Sequence, residues 1–186
     1  MSDRPRRDKP PKSYTDAFFD QENLTDQTIA MTPIGIVHSS YKERFDTPRQ
    51  PALGDEVTAT IELVKGSNLE QATMDLEKFS HIWVIYWMHL NQGWNPTVIP
   101  PRGPKTRRGV LATRAPHRPN SIGLSVVKLI SVKGRMLEIA SHDMLDGTPV
   151  LDIKPYLPYA DALPEATHGW LDHVALTPSV NTSEVS

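Results

Sequence analysis

Proline occupies 17 of the 186 positions of this chain. It lacks a backbone N–H and breaks helix interiors, so this frequency disfavours long helices and favours strands joined by shaped loops. The chain is long enough for one domain with a hydrophobic core, and its content of 38% hydrophobic and 23% charged residues is typical of a globular body. We therefore expect one folded domain in which strands predominate.

Short apolar runs between glycines and prolines have the spacing of strands. Residues 56–63 alternate apolar and polar side chains, as in a half-buried strand, and the apolar run 81–89 predicts a buried central strand ending at His89. Further strands are predicted at 34–37, 109–113, 124–130, 136–141 and 150–153, with short helices at 71–78 and 161–171. This pattern predicts a mostly β fold with minor α, a barrel or sandwich.

The ends of the chain differ in composition from the middle. Residues 1–30 are basic and rich in proline, which predicts a flexible tail with at most a short helix at Tyr14–Asn23. We expect the folded domain at 31–176 and a frayed end at 177–186. No apolar run approaches the ~20 residues of a membrane span, and no secretory signal is present, so we expect a cytoplasmic protein.

Several classes of site are excluded or disfavoured by composition. The chain has no cysteine, which excludes disulfides, thiolate metal centres and a cysteine nucleophile. Its seven histidines show no HxH or HxxxH spacing, so we expect no metal site. No strand is followed by G-x-G-x-x-G or by a GxxxxGK[ST] loop, which argues against a Rossmann or P-loop nucleotide site.

Charge is strongly polarised along the chain, although the formal net charge is only −2. Residues 78–137 contain 10 of the 20 lysines and arginines and none of the 22 acidic residues, so the remainder carries 10 − 22 = −12. A basic segment on an acidic body predicts contact with phosphates. The alternative is a solvated basic loop.

Three segments have unusual chemistry, and the first of them is YKERFDTPRQPAL (41–53). In GVLATRAPHRPNSIGLS (109–125), Arg114 and Arg118 flank prolines that fix the backbone, and Asn120 can donate and accept hydrogen bonds. This is typical of a rigid loop that recognises an anionic or nucleoside-like ligand. Alternatively, the arginines brace the loop through hydrogen bonds to its backbone.

HDMLDGTPVLDIKPY (142–156) places Asp143, Asp146 and Asp152 within ten residues, followed by Lys154 and Tyr156. The carboxylates could hold ribose hydroxyls, an ammonium group or a divalent cation. Hairpin chemistry with a surface Asp–Lys pair is the plainer alternative.

Taken together, the stretches IGIVHSSYKERFDTPRQPAL, LEKFSHIWVIYWMH, GVLATRAPHRPNSIGLSVVKL and DMLDGTPVLDIKPYLPYAD resemble the TrmO/YaeB-like family. The likeness extends from Pro33 to Asp161. It implies a compact, mixed-strand β-barrel that binds S-adenosylmethionine without a Rossmann loop, and a homodimer with sites near the subunit interface. It also implies methylation of N6 of N6-threonylcarbamoyladenosine, next to the tRNA anticodon.

The resemblance also implies a set of site residues. For the methyl donor these are Pro51, Ala52, Leu53, His89, Leu90, Arg114, Leu124, Asp143, Met144, Leu145 and Asp146. For the tRNA side they are Arg102, Arg107, Arg108, Arg118, Asn120, Asp152, Lys154 and Tyr156. Some family members have a further C-terminal domain, whereas this chain ends soon after Val174, so we expect tRNA contact to come from the barrel, the basic loop and the N-terminal tail.

The acceptor nitrogen is urea-like, and its delocalised lone pair makes it a poor nucleophile until its proton leaves. A general base is therefore useful, with Asp152, Asp146 and Tyr156 as candidates and Arg118 or Arg114 pairing with the threonyl carboxylate. Two other functions remain open at this point. One is a non-catalytic RNA-binding barrel that stacks bases on residues such as Trp94, and the other is a metal-dependent hydrolase built on the aspartates.

Overall fold

The computed structural model describes residues 28–43, 46–48, 50–51, 56–101 and 103–172. The chain divides into two compact units, Met1–Met31 and Thr32–Ser186, and the barrel belongs to the second. The expectations for the N-terminal tail, the helix at Tyr14–Asn23 and the C-terminal end concern residues outside the described part. The same holds for the donor contacts at Ala52 and Leu53 and the phosphate contact at Arg102.

Strands are the main regular elements among the described residues. They are β1 (Gly35–His38), β2 (Thr58–Leu63), β3 (His81–Trp87), β4 (Thr97–Val98), β5 (Arg108–Gly109), β6 (Ile122–Lys133), β7 (Met136–Ala140) and β8 (Pro149–Pro155). Six of them close into a barrel in the order β1-β2-β7-β6-β3-β8, and β4 and β5 form a separate two-stranded ribbon. The prediction of a mostly β barrel is confirmed.

Helices are short, as the proline content predicts. Two α-helices of one turn, α1 (Leu69–Ala72) and α2 (Pro158–Asp161), accompany 3₁₀ turns at Leu76–Lys78, Val110–Ala112 and Gly169–Leu171. Among the described residues, none of these helices has the length and apolarity needed to cross a membrane.

Alternation along the strands separates the core from the outer face. On β3, Ile82, Val84 and Tyr86 point inward, whereas the side chains between them lie on the outside of the barrel. On β6, the inward positions include Val127 and Leu129. The barrel interior is a packed core; its largest fully buried side chains are Ile61, Leu63, Ile82, Leu137, Ile139, Met144, His142, Val37, Val84, Val127 and Val150.

The strand directions differ from the expected mixture. Every pairing among the described barrel strands is antiparallel. Short connections explain part of this, since β6 and β7 are joined by only Gly134 and Arg135, with Gly134 at φ 58°. Such a two-residue loop joins antiparallel neighbours.

Two strand predictions were wrong in detail. Residues 110–112 form a 3₁₀ turn, because Val110 donates its N–H to Pro96 and its carbonyl accepts hydrogen bonds from the N–H and hydroxyl of Thr113. The central strand ends at Trp87 and not at His89, whose N–H donates to the Trp87 carbonyl in a tight turn.

Both helix predictions were too long. The region 71–78 divides into α1 and a 3₁₀ turn, since Asp75 between them adopts a left-handed conformation at φ 68°. The region 161–171 contains only the last residue of α2 and, separated from it, the turn Gly169–Leu171.

Candidate active site

A cleft of about 250 Å³ lies against the outer face of β3 and β6. Its lining, here called the outer cleft, consists of Gln50, Pro51, Trp83, Arg114, Leu124, Val126, Tyr156 and Asp161. Three residues expected to bind the donor (Pro51, Arg114 and Leu124) thus meet Tyr156, which was expected on the substrate side. These positions are up to 105 residues apart in sequence (156 − 51), so only the fold brings them together.

Strand register divides the floor of the outer cleft into two rows. Leu124 pairs with Ile85 across the sheet, and Val126 pairs with Trp83. Arg114 closes one side by donating from Nη1 to Oε1 of Gln50 at 2.5 Å. This hydrogen bond ties the loop before β6 to the segment that carries Pro51.

Trp83 and Tyr156 form an aromatic wall in the outer cleft. Their ring centroids lie 5.8 Å apart with the planes tilted by 59°. The indole Nε1 of Trp83 donates to Oδ2 of Asp161 at 3.0 Å, and the same oxygen accepts the N–H of Leu157 at 2.7 Å. Within the described residues the Tyr156 hydroxyl has no hydrogen-bond partner, which leaves it available to a ligand.

A polar network lies inside the barrel wall beside this cleft. Ser125 donates to Oδ1 of Asp143 at 2.6 Å, and the Tyr86 hydroxyl lies 3.4 Å from the same oxygen. Ser125 and Tyr86 are buried and Asp143 is partly buried. Burial raises the pKa of Asp143, and the Ser125 hydrogen bond and the positive charge of Arg114 oppose that rise.

Burial, and then the neighbouring Asp143 carboxylate, raises the pKa of Tyr86. Tyr86 therefore stays a neutral hydrogen-bond donor. The positive charge of Arg114, which lines the outer cleft, is close enough to lower the pKa of Asp143.

We expect Asp143→Asn to stabilise the protein at pH 8 and so to raise its Tm. The folded state holds the Asp143 proton more tightly than the unfolded chain, so this contribution is present at low pH. It is lost as the pH rises from the ordinary value of 3.8 through the raised pKa of the folded state. Asparagine keeps an acceptor for Ser125 without the buried charge. Thermal melts at pH 4.5 and pH 8 test this.

Asp146→Asn is the matched control with the opposite sign. The hydrogen bond to Lys42, and then the Ser39 N–H, lower the pKa of Asp146, so its stabilising contribution is present at neutral pH and lost on acidification. Asparagine at 146 should therefore lower Tm at pH 8. Equal shifts of the same sign in both variants would contradict our account of Asp143.

Asp146 clamps two loops together. Its Oδ1 accepts the Ser39 N–H at 2.9 Å, and its Oδ2 lies 2.6 Å from Nζ of Lys42. Its backbone N–H also donates to the Tyr41 carbonyl. With both oxygens engaged and the pKa lowered, Asp146 is a weak candidate for a general base.

Asp152 lies in a different cleft. Its Oδ2 pairs with Nζ of Lys154 at 2.7 Å, and Oδ1 accepts the N–H of Ile153. The cleft that it lines is otherwise mainly apolar, with Ile34, Leu69 and Phe79 among the walls. The three aspartates are therefore held separately, and in the described part of the chain no three His, Asp or Glu side chains are grouped as metal ligands.

The basic segment braces its own loops. Arg118 donates from Nη1 to the carbonyl of Thr113 at 2.8 Å and lies 3.4 Å from those of Val110 and Ala115. This is the alternative that the sequence left open for this arginine. Arg107 lies 3.3 Å from the Thr97 hydroxyl, and the guanidinium of Arg108 lies 5.3 Å from the centroid of the Trp170 ring.

The remaining expected site residues vary in exposure. His89 and Leu90 lie in the turn after β3, where Leu90 is 64% exposed. Met144 is buried in the core, so a ligand could meet only its backbone. Leu145 is partly buried, and Asn120 is exposed just before β6.

Sequence reasoning did not single out Trp83, Tyr86, Ser125 or Asp161. Ser125 and Tyr86 carried a usable signal, because both occupy inward positions of alternating strands where aliphatic side chains are the norm. Trp83 and Asp161 carried none, since their hydrogen bond joins residues 78 positions apart.

Fold and site together define an antiparallel β-barrel with a cleft on its outer face, a class distinct from Rossmann-type nucleotide-binding proteins. The family model of the tRNA-methyltransferase O N-terminal domain matches residues 36–162. The chain belongs to this family, as its motifs indicated.

Similar proteins agree with this placement. A tRNA (adenine(37)-N6)-methyltransferase of Escherichia coli is 46% identical over 141 residues, covering 72% of this chain and 60% of that protein. A probable S-adenosyl-L-methionine-binding protein of Pyrococcus abyssi is 42% identical, covering 77% of each chain. The crystal structure of TrmO from Pseudomonas aeruginosa matches with a TM-score of 0.66 at 42% identity, over 77% of this chain and 62% of that one. The chain thus spans less than two-thirds of the Escherichia coli and Pseudomonas proteins.

Proposed function

We propose that this protein binds S-adenosylmethionine and methylates N6 of an adenine in tRNA, the N6-threonylcarbamoyladenosine beside the anticodon. The observation that carries the proposal is the outer cleft, where Pro51, Arg114 and Leu124 meet Tyr156 beside the partly buried Asp143. The names of the Escherichia coli and Pyrococcus abyssi relatives support the reaction and the donor, respectively.

The charges at the site fit the donor. An amino-acid tail presents a carboxylate and an ammonium group, and Arg114 and Asp143 offer the complementary pair. Ser125 and Tyr86 hold one oxygen of Asp143, and no other described side chain occupies the second. Leu124, 57% exposed, offers apolar contact next to them. These residues would hold the donor.

When bound, the donor supplies a methyl group on a sulfonium. Transfer forms a nitrogen–carbon bond, breaks the sulfur–carbon bond with its electron pair left on sulfur, and releases the acceptor proton. The protein must therefore orient the acceptor nitrogen and move one proton.

We assign to Tyr156 the role of accepting the proton from the acceptor nitrogen. It lines the outer cleft with the donor residues, whereas Asp152 lines another cleft and Asp146 is engaged by Lys42 and Ser39. The free Tyr156 hydroxyl accepts the acceptor proton while passing its own to solvent water, so the side chain ends unchanged. Arg118, committed to backbone carbonyls, positions the loop that carries Arg114.

Charge and exposed apolar surface support two partners, tRNA and a second copy of the chain. Arg107 and Arg108 lie in a segment without acidic residues and suit tRNA phosphates. Exposed Trp87 and Ile122 adjoin Leu124 on the outer face, which supports a homodimer contact near the cleft. A tRNA substrate is compatible with a cytoplasmic enzyme.

We expect calorimetric titration to show S-adenosylmethionine binding, and Arg114→Ala to weaken it about 10-fold or more, the loss expected for a charge-assisted hydrogen bond. Arg107→Ala is the matched control, since that side chain meets Thr97 outside the cleft. It should leave donor affinity unchanged and weaken tRNA binding.

Absence of donor binding up to millimolar concentration would remove the methyltransferase proposal. RNA binding without donor binding would instead support the non-catalytic barrel. The hydrolase alternative loses its basis because the three aspartates are held apart from one another.

A further inference from the structure

We propose that Trp83 is the stacking surface for the acceptor adenine, in the half of the outer cleft away from the Leu124 row. This inference rests on the proposed function, which it deepens by giving the target base its own subsite. Nothing in the sequence motifs singled out Trp83.

Trp83 does not fill the barrel core. Its strand neighbours Ile82 and Val84 are fully buried, whereas Trp83 lies on the outer face and is only partly buried. A large aromatic side chain there must cover other surface groups or meet a ligand. Its position in the outer cleft, beside Tyr156, favours the ligand.

The ring is also held in one orientation. Asp161 accepts the indole N–H at 3.0 Å and is itself held by the backbone N–H of Leu157 at the start of α2. Because the indole N–H is already engaged, Trp83 has only its ring face to offer. A pre-oriented face is what base stacking requires.

Register places this face next to the donor residues. Trp83 and Val126 lie two residues along the strands from Ile85 and Leu124, which corresponds to about 7 Å. Ligands in adjacent rows of this spacing can bring two reacting atoms together. The ring of Tyr156 lies 5.8 Å from that of Trp83, so the row that stacks the adenine also contains the side chain that takes the acceptor proton.

The charge around Trp83 favours a base over a phosphate in this half of the outer cleft. The Asp161 carboxylate borders it, and the nearest row contributes the neutral side chains of Trp83, Val126 and Tyr156. A phosphate would be repelled here, whereas the uncharged ring of the adenine would not.

The test measures binding of two anticodon stem-loops to the full chain. One carries N6-threonylcarbamoyladenosine 3′ of the anticodon, and the other carries an abasic site there. We expect the wild-type protein to prefer the adenine form about 10-fold, the size expected from stacking on one aromatic ring. Trp83→Leu should abolish this preference and leave the Kd for S-adenosylmethionine within about twofold.

Trp94→Leu is the matched control, since Trp94 is 49% exposed and lies outside the outer cleft. It should keep the adenine preference even if overall RNA affinity falls. Trp83→Phe, which retains an aromatic face, should keep most of the preference. If Trp83→Leu does not fold, Asp161→Ala, which frees the indole, should reduce the preference several-fold, with the small loss of Tm expected from removing the acceptor of the Leu157 N–H.

An unchanged preference in Trp83→Leu would overturn the inference. So would a loss of donor affinity as large as the loss of adenine preference, because the ring would then hold the donor. Failure of the proposed function would give a different result from failure of this inference. The wild-type chain would not bind donor or transfer methyl, although a Trp83-dependent adenine preference could still be measured.

Discussion

Tyr156→Phe should lower kcat for tRNA methylation by about 100-fold or more, within the range typical of a lost proton-transfer group. The change removes one hydroxyl and keeps the ring that packs 5.8 Å from Trp83. Donor affinity and Tm should stay close to wild type, because in the described structure that hydroxyl bonds to no other residue. Single-turnover methylation with saturating donor separates this effect from binding.

Asp152→Asn provides the comparison. Asp152 pairs with Lys154 and lines the cleft that contains Phe79, so its rate should change by only a few-fold. If Asp152→Asn loses as much activity as we expect for Tyr156→Phe, then Asp152 accepts the proton, and our assignment of the outer cleft as the active site is wrong. If both variants keep wild-type rates, neither residue moves the proton.

Gly123→Ala should destabilise the barrel by about 2 kcal/mol or more, the cost of overpacking a core. This corresponds to a Tm lower by roughly 4–8 °C. Gly123 pairs with Tyr86 across β6 and β3, and a Cβ on it would overlap the Cε2 and Cζ atoms of the Tyr86 ring. Displacing that ring would also move the hydroxyl beside Asp143, so donor binding should weaken as well. Denaturant unfolding measures the first effect and calorimetry the second.

Gly109→Ala is the control, since its Cβ would meet no atom within 4 Å and its φ of −59° suits alanine. It should change stability by less than about 0.5 kcal/mol. In the double variant Gly123→Ala/Tyr86→Leu the clash is absent, so the two substitutions should cost less together than the sum of their separate effects. Simple additivity would show that the Tyr86 ring is not what excludes a side chain at 123.

Much of the fold could be predicted from local pattern. Residues 56–63 alternate because one face of a strand is exposed to solvent and the other is buried. The strand β2 (Thr58–Leu63) shows this alternation of burial. The run at 81–89 likewise became β3. The errors fell where hydrogen bonds from elsewhere decide the backbone, as at Val110, whose N–H donates to Pro96.

The site was harder to predict. Sequence placed Arg114, Arg118 and the aspartates in functional segments, but side-chain type does not say which partner a side chain meets. Arg118 donates a hydrogen bond to a carbonyl of its own loop, whereas Arg114 donates to Gln50, 64 residues away. Both arginines lie within two residues of a proline, and local chemistry does not separate them.

By itself, the sequence determined the class of fold and the family, and it predicted the segments that carry chemistry. Proline frequency, period-two alternation and long motifs are properties of neighbouring residues, and these act over a few positions of the chain. Only the tertiary structure decided that Tyr156 shares a cleft with Arg114 and Leu124 while Asp152 opens into another. Closing the barrel sets strand register, and register determines which distant side chains share a face.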